Sequence, residues 1–243
     1  MDNRELFQAW SLGYGGCDGG DLGSPEKPAI WACGIEWGGG HQPADLLKQM
    51  EENVSSQWNS SGYDGWEENI NYRFNWQLMK LLSVIHGGYV SEYKQFAEEH
   101  QPFVQGKSGY FKMNLYPIAF KDTNDTRWQS GFLDITGFHQ KSDYLAWCHE
   151  HRFPQMRQWA EVSQPKLIIC LGKSYLPEFK MAFMEPDAVI HEEVIDEKVL
   201  YWGRNSQQSL VVVIPFMANR HGLNRNVSIQ KFGEHIAALM QAA

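Results

Sequence analysis

Glu36 stands where an apolar run gives way to glycine. The stretch "AIWACGIEWGGGH", residues 29–41, ends its apolar part at Gly34-Ile35 and then runs through Trp37 to three consecutive glycines, Gly38 to Gly40. A carboxylate at such a break can position water or stabilise a developing cation, and glycines beside it let a ligand approach the backbone. The plainer reading is a turn with a solvated acid. Asn114 occupies a similar break in "YFKMNLYPIAF", and its amide can donate and accept a hydrogen bond at once. A third polar stretch, "IPFMANRHGLNRN", leaves another apolar run and carries Asn219, Arg220, His221 and Arg225. Tyr72 and Phe74, in "NINYRFNWQLMKLL", are aromatic enough to stack on a planar ligand or to fill a core.

Other chemistries fail on spacing or context. "GIEWGGG" is not closed by Gly-Lys-Ser/Thr, and Gly172-Lys173-Ser174 lacks the earlier glycine of a phosphate loop, so it reads as a strand-to-helix turn. "GYGGCDGG" follows no strand, which removes a dinucleotide fingerprint. No G-x-S-x-G elbow is present. Asp18, Asp21, Glu36, His41 and His221 can be drawn around a metal, yet none shows a spacing such as HExxH, and the expectation is no metal and no cofactor. Cys17, Cys33, Cys148 and Cys170 form no CxxC pair, and Cys33 and Cys170 lie in apolar runs as buried thiols would.

The elements that must hold these residues alternate. Apolar runs at 29–35, 110–120, 166–171 and 209–215 read as buried strands. Between them fall helical patterns: one from Pro43, one carrying Phe74, Leu78, Leu81, Leu82 and Ile85 and stopping at Gly87-Gly88, one over Glu92 to His100, one over Ser142 to Ser163 with a break or kink at Pro154, and a last one from Val227 to Met240. "AVIHEEVIDEKVLYWG" alternates around Asp196-Glu197 like an antiparallel excursion. Residues 1–28 and 55–65 read as loop, being rich in glycine and polar residues. This pattern predicts one α/β domain over residues 1–243, with a loop-rich N-terminal segment 1–28 and a mainly parallel central sheet. Ligands bind such sheets outside the carboxyl ends of the strands, where Glu36, Asn114 and the 215–226 loop all fall.

The 243 residues carry a net charge of −8, which argues against a broadly basic surface for duplex DNA. The charge is uneven: residues 1–100 hold six Lys/Arg against fifteen Asp/Glu, whereas from Tyr201 onward only Glu234 opposes Arg204, Arg220, Arg225 and Lys231. No apolar run approaches 18 residues and no basic-then-apolar leader opens the chain, so a soluble cytoplasmic protein without membrane contact is expected.

A strand ending in "GIEWG", a strand ending in "NLYP", "PKLIICLG" before a helix, and a last apolar strand entering "PFMANRHG" together resemble the uracil-DNA glycosylase superfamily. Its members carry G-x-D-P-Y or G-I-N-P-G after the first sheet strand, a mid-chain Asn that reads the base edge, a P-x-x-I-[IV]-x-x-L-G strand and a C-terminal H-P-S-type loop. The resemblance covers the order of elements from Ala29 to the end. It implies a three-layer α/β/α sandwich and a nucleobase glycosylase that cleaves an N-glycosidic bond in DNA or a nucleotide; a binding module that has lost the chemistry is the alternative. By the same resemblance Glu36 takes the catalytic acid's place, and Asn114 reads the base. Gly34, Ile35, Trp37 and Gly38 border the nucleotide, while Tyr72 or Phe74 stacks on it. Asn219 or His221 stabilises the leaving base, and Arg220 and Arg225 meet phosphates. The chain departs from the pattern in three places: Glu36 is neither Asp nor Asn, Trp37 replaces proline, and the H-P-S histidine position falls near Phe216 or Met217, ahead of His221.

Overall fold

The structure is a computed structural model that describes residues 1–36, 38, 40–55, 62–120 and 128–242. In chain order it runs α1 (Asn3–Leu12), β1 (Cys17–Gly20), a small hairpin of β2 (Gly23–Ser24) and β3 (Lys27–Pro28), β4 (Ile30–Gly34) and α2 (Pro43–Ser55). There follow α3 (Trp66–Asn69), α4 (Arg73–Ile85), α5 (Tyr93–His100), β5 (Tyr110–Asn114), α6 (Ser130–Thr136) and α7 (Lys141–Trp147). The last part holds α8 (Phe153–Ser163), β6 (Leu167–Leu171), α9 (Leu176–Phe183), β7 (His191–Ile195), β8 (Lys198–Arg204), β9 (Leu210–Ile214) and α10 (Asn226–Gln241).

Seven strands form one sheet in the order β1-β5-β4-β6-β9-β8-β7. The middle four, β5, β4, β6 and β9, are mutually parallel, with β1 antiparallel on one side and the β8–β7 pair antiparallel on the other. All four are fully buried, as continuous apolar runs require. Alternation along them then sorts side chains into two cores. Trp31, Cys33, Phe111, Met113, Ile168, Cys170, Val211 and Val213 face one apolar layer, shared with Phe7 and Trp10 of α1 and Phe153 and Met156 of α8. Ile30, Ala32, Leu167, Ile169, Val212 and Ile214 face the other, with Leu78, Leu81 and Leu82 of α4 and Ile229 and Phe232 of α10. Helices thus cover both faces of an α/β sheet. Among the described residues no helix is long and apolar enough to cross a membrane.

The N-terminal segment departs from the expected loop. Asp2 and Glu5 close a capping box that starts α1, and Phe7 and Trp10 then bury its inner face, a signal carried by two polar residues next to an otherwise glycine-rich stretch. The glycines themselves are structural: Gly20 has φ +90° and a Cβ there would collide with Tyr110 O, so β1 can lie against β5 because it carries no side chain at that point. The 142–163 helix runs as α7, one π turn over Cys148–Arg152, and α8, in place of a break. The widened turn precedes Pro154, where α geometry would press the ring on the carbonyl four residues back. The excursion around Asp196-Glu197 is the β7–β8 hairpin, and both turn residues take positive φ, 50° and 65°.

Candidate functional site

The carboxyl ends of β4 and β5 lie side by side, with Gly34 paired to Asn114, and the pairing continues past the strands through Leu115 N–H to Gly34 O (3.0 Å) and Tyr116 N–H to Ile35 O (2.9 Å). Parallel pairing therefore brings the two sequence breaks to one place. Asn114 is buried; its side-chain amide nitrogen donates to Gly16 O at 3.1 Å, and its backbone carbonyl accepts from the Arg152 guanidinium at 3.0 Å. A Cβ on Gly34 would overlap Asn114 Oδ1, so that glycine is what lets the amide lie across the end of β4.

An open cleft of about 370 Å³ begins there. Gly34, Glu36 and Gly38 form one wall and Asn114 lies in the floor. Tyr72 and Phe74, at the start of α4, and Phe216, just past β9, supply the aromatic side. Phe74 and Phe216 stack at 5.5 Å with 25° between planes, and Tyr72 is 55% exposed at the rim. Among the described residues no atom lies within 4 Å of where a Gly38 Cβ would sit.

The far side of the cleft is a polar network. Lys112 Nζ, buried on β5, meets Asp18 Oδ2 of β1 at 2.6 Å, Asn75 Oδ1 at 3.0 Å and Tyr63 Oη at 3.2 Å. Burial would drive the proton off this amine, but the Asp18 carboxylate and the Tyr63 oxygen outweigh it and hold the ammonium above the ordinary lysine range. The cation also lies 5.3 Å from the Phe74 ring centre and 5.5 Å from that of Tyr63. Asn75 completes the set, with Nδ2 donating to Tyr63 Oη (2.8 Å) and to Asn69 O (3.2 Å).

Of the residues singled out from sequence, Gly34, Glu36, Gly38, Tyr72, Phe74 and Asn114 come together on this cleft. The others lie elsewhere. Ile35 points toward Gly172 on the neighbouring strand end, and Trp37 is outside the described residues. Asn219, Arg220 and His221 are exposed on a loop tied by Asn224 Nδ2 to Asn219 O (2.7 Å) and by Lys198 Nζ to His221 O (3.3 Å). Arg225 is paired with Asp196 at 2.8 Å, away from the cleft. The last strand delivers Phe216 to the cleft in their place, because its chain turns back at once: Leu223 N–H bonds Phe216 O at 3.0 Å and a Cβ on Gly222 would overlap that oxygen. Tyr63, Asn75 and Lys112 were not indicated by sequence spacing, although a lysine inside the apolar strand "YFKMN" is a visible anomaly. Asp18 appeared only as a paper metal ligand; it is committed to Lys112, and among the described residues no three His, Cys, Asp or Glu side chains are grouped to hold a metal.

Chemically the cleft offers stacking surface, a fixed amide, a carboxylate on a glycine-lined wall and a neutralised ion pair. That set suits a planar, hydrogen-bonding ring attached to a group on which the carboxylate could act. No protein-family model matches the chain, and no curated protein matches its sequence.

Proposed function

We propose that this cleft receives a nucleobase, flipped from a strand or carried on a free nucleoside, and that the protein is a divergent glycosylase of the uracil-DNA glycosylase type. In this reading Asn114 reads the ring edge and Phe74 with Tyr72 stacks on its face. Gly34 and Gly38 leave the nucleotide room, and Glu36 acts on the sugar or on water as the N-glycosidic bond breaks. The observation that carries the reading is the joint placement of Glu36, Gly34 and Asn114 on one cleft beside an aromatic pair. Asn219 and His221 receive no role in it, and Arg225 is occupied by Asp196. The net charge of −8 favours a single-stranded or free substrate over duplex DNA.

A second reading, a binding module on the same fold, draws on Phe216, which puts an apolar ring where a donor to the departing base would serve catalysis. One experiment separates the two. Purified protein is assayed for base release from single-stranded oligonucleotides and nucleosides bearing uracil and modified bases, beside Glu36→Gln. Release that falls by about 10²-fold or more in the variant supports the glycosylase. No release by the unsubstituted protein on any substrate overturns it, and retained nucleoside binding then favours the module.

A further inference from the structure

Asp18 reaches the cleft through an irregularity of the sheet. Cys17 pairs with Met113 and Gly19 with Lys112, so Asp18 is the extra residue of a β-bulge where β1 meets β5. A bulge re-aims the side chain it releases, and the chain leaves this one through Gly19 at φ +119°, a conformation that L side chains rarely adopt. The carboxylate so placed lines the cleft and is 17% exposed, against 9% for the Lys112 side chain that it meets.

The two partners differ in what they have left for a ligand. The Lys112 ammonium has three N–H donors, and Asp18 Oδ2 at 2.6 Å, Asn75 Oδ1 at 3.0 Å and Tyr63 Oη at 3.2 Å take all three. Asp18 receives one of those protons, whereas an ionised carboxylate has about four acceptor sites. Among the described residues nothing else bonds this carboxylate, so its remaining lone pairs are open to the cleft. The charge is uneven in the same sense. Among the described residues the charged side chains lining the cleft are Asp18, Glu36 and Lys112, two carboxylates against one ammonium. Arg220 and Arg225 do not line it, and Arg225 is held by Asp196.

We infer that Asp18 makes this a site for an uncharged nucleoside: its open lone pairs accept a hydroxyl of the ligand, and its charge turns away phosphorylated forms, whether a mononucleotide or a strand. The inference rests on the nucleobase reading above and narrows its substrate to the free nucleoside. A nucleoside brings hydroxyl protons, which a carboxylate accepts in a charge-assisted bond. A phosphate brings acceptor oxygens and negative charge at neutral pH, and it meets a second anion in a partly buried place that salt screens less than the open surface.

The test titrates uridine, cytidine, inosine and adenosine, their 5′- and 3′-monophosphates, and a single-stranded oligonucleotide of mixed sequence into the full chain, read by tryptophan fluorescence or calorimetry. The nucleoside that binds best is expected to bind about tenfold or more tightly than its monophosphates and the oligonucleotide at about 20 mM salt, and the gap is expected to narrow at about 0.5 M. Asp18→Asn keeps an acceptor for Lys112 and removes the negative charge; it is expected to close most of the gap, mainly by tightening the monophosphates. Thermal melting establishes that the variant folds. If it does not, the salt titration of the unsubstituted protein decides alone, because a gap of steric origin does not respond to salt. A monophosphate or oligonucleotide that binds as tightly as the nucleoside overturns the inference and leaves the nucleobase reading standing, as does a gap indifferent to salt or one that persists in Asp18→Asn. Failure of every ligand to bind removes both.

Discussion

Gly34 and Gly38 lie four residues apart on the same wall, yet they answer to different constraints. Gly34 is bounded by the Asn114 amide, which is itself held by Gly16 O, so an added methyl must displace a buried, bonded group. Gly38 meets no such group among the described residues. Gly34→Ala is expected to cost about 1–3 kcal/mol in urea unfolding and to lower base release or nucleoside affinity with it, whereas Gly38→Ala stays within about 0.5 kcal/mol of the unsubstituted protein. Equal costs would show that the floor of the cleft yields. Glu36, Asn114, Tyr72 and Phe74 were legible as single residues because each sits at a break or a boundary that sequence displays. The Asp18–Lys112–Asn75–Tyr63 network was not, because its members come from β1, β5, α4 and the stretch between α2 and α3, and polar side chains this far apart show no shared spacing.

At the scale of elements, the β7–β8 turn is fastened to α10 by one carboxylate. Asp196 accepts from Ser228 Oγ at 2.5 Å, Lys231 at 3.0 Å and Arg225 at 2.8 Å, and these bonds, the serine first, bring its acid constant down from 3.8 to about 2. A carboxyl group depressed in the folded state stabilises the fold fully above its unfolded value and loses that contribution as the proton returns. Stability measured from pH 6 downward is therefore expected to fall more steeply in the unsubstituted protein than in Asp196→Asn. The two curves should draw together between pH 3.8 and about 2. Parallel curves would remove the fastening role. Strands β4 to β9 and the α4, α5 and α10 helices were readable from periodicity and stop signals. α1 was hidden, since its apolar face needs only Phe7 and Trp10, and β1 reads as loop because four of its neighbours and members are glycine, a residue chosen there for close approach to β5.

For the molecule as a whole, the parallel sheet keeps its chemistry on one edge and its thiols out of reach. Cys17, Cys33, Cys148 and Cys170 are all buried and unpaired. Burial lifts Cys17 and Cys148 to about 12, against the opposing pull of Arg152, and lifts Cys33 and Cys170 well above the ordinary thiol value. A thiol reagent such as Ellman's is expected to find no reactive cysteine in the native protein and four in denaturant at neutral pH. Early reaction of one thiol would locate a part of the core that opens first.

Arg152 is wholly buried at the π turn, and its guanidinium donates to the carbonyls of Ser11, Gly15, Asn114 and Leu115. It spends a full positive charge on backbone oxygens alone among these bonds, joining the strand that carries Asn114 to the segment that carries Asp18. The shortest continuous stretch that contains this joint begins at Ser11 and ends at Arg152, and Phe216 lies beyond it. The cleft is consequently not a portable motif. Grafting its visible signature onto another sheet would transfer the letters without the keystone, and inheritance of the site requires inheritance of nearly the entire chain.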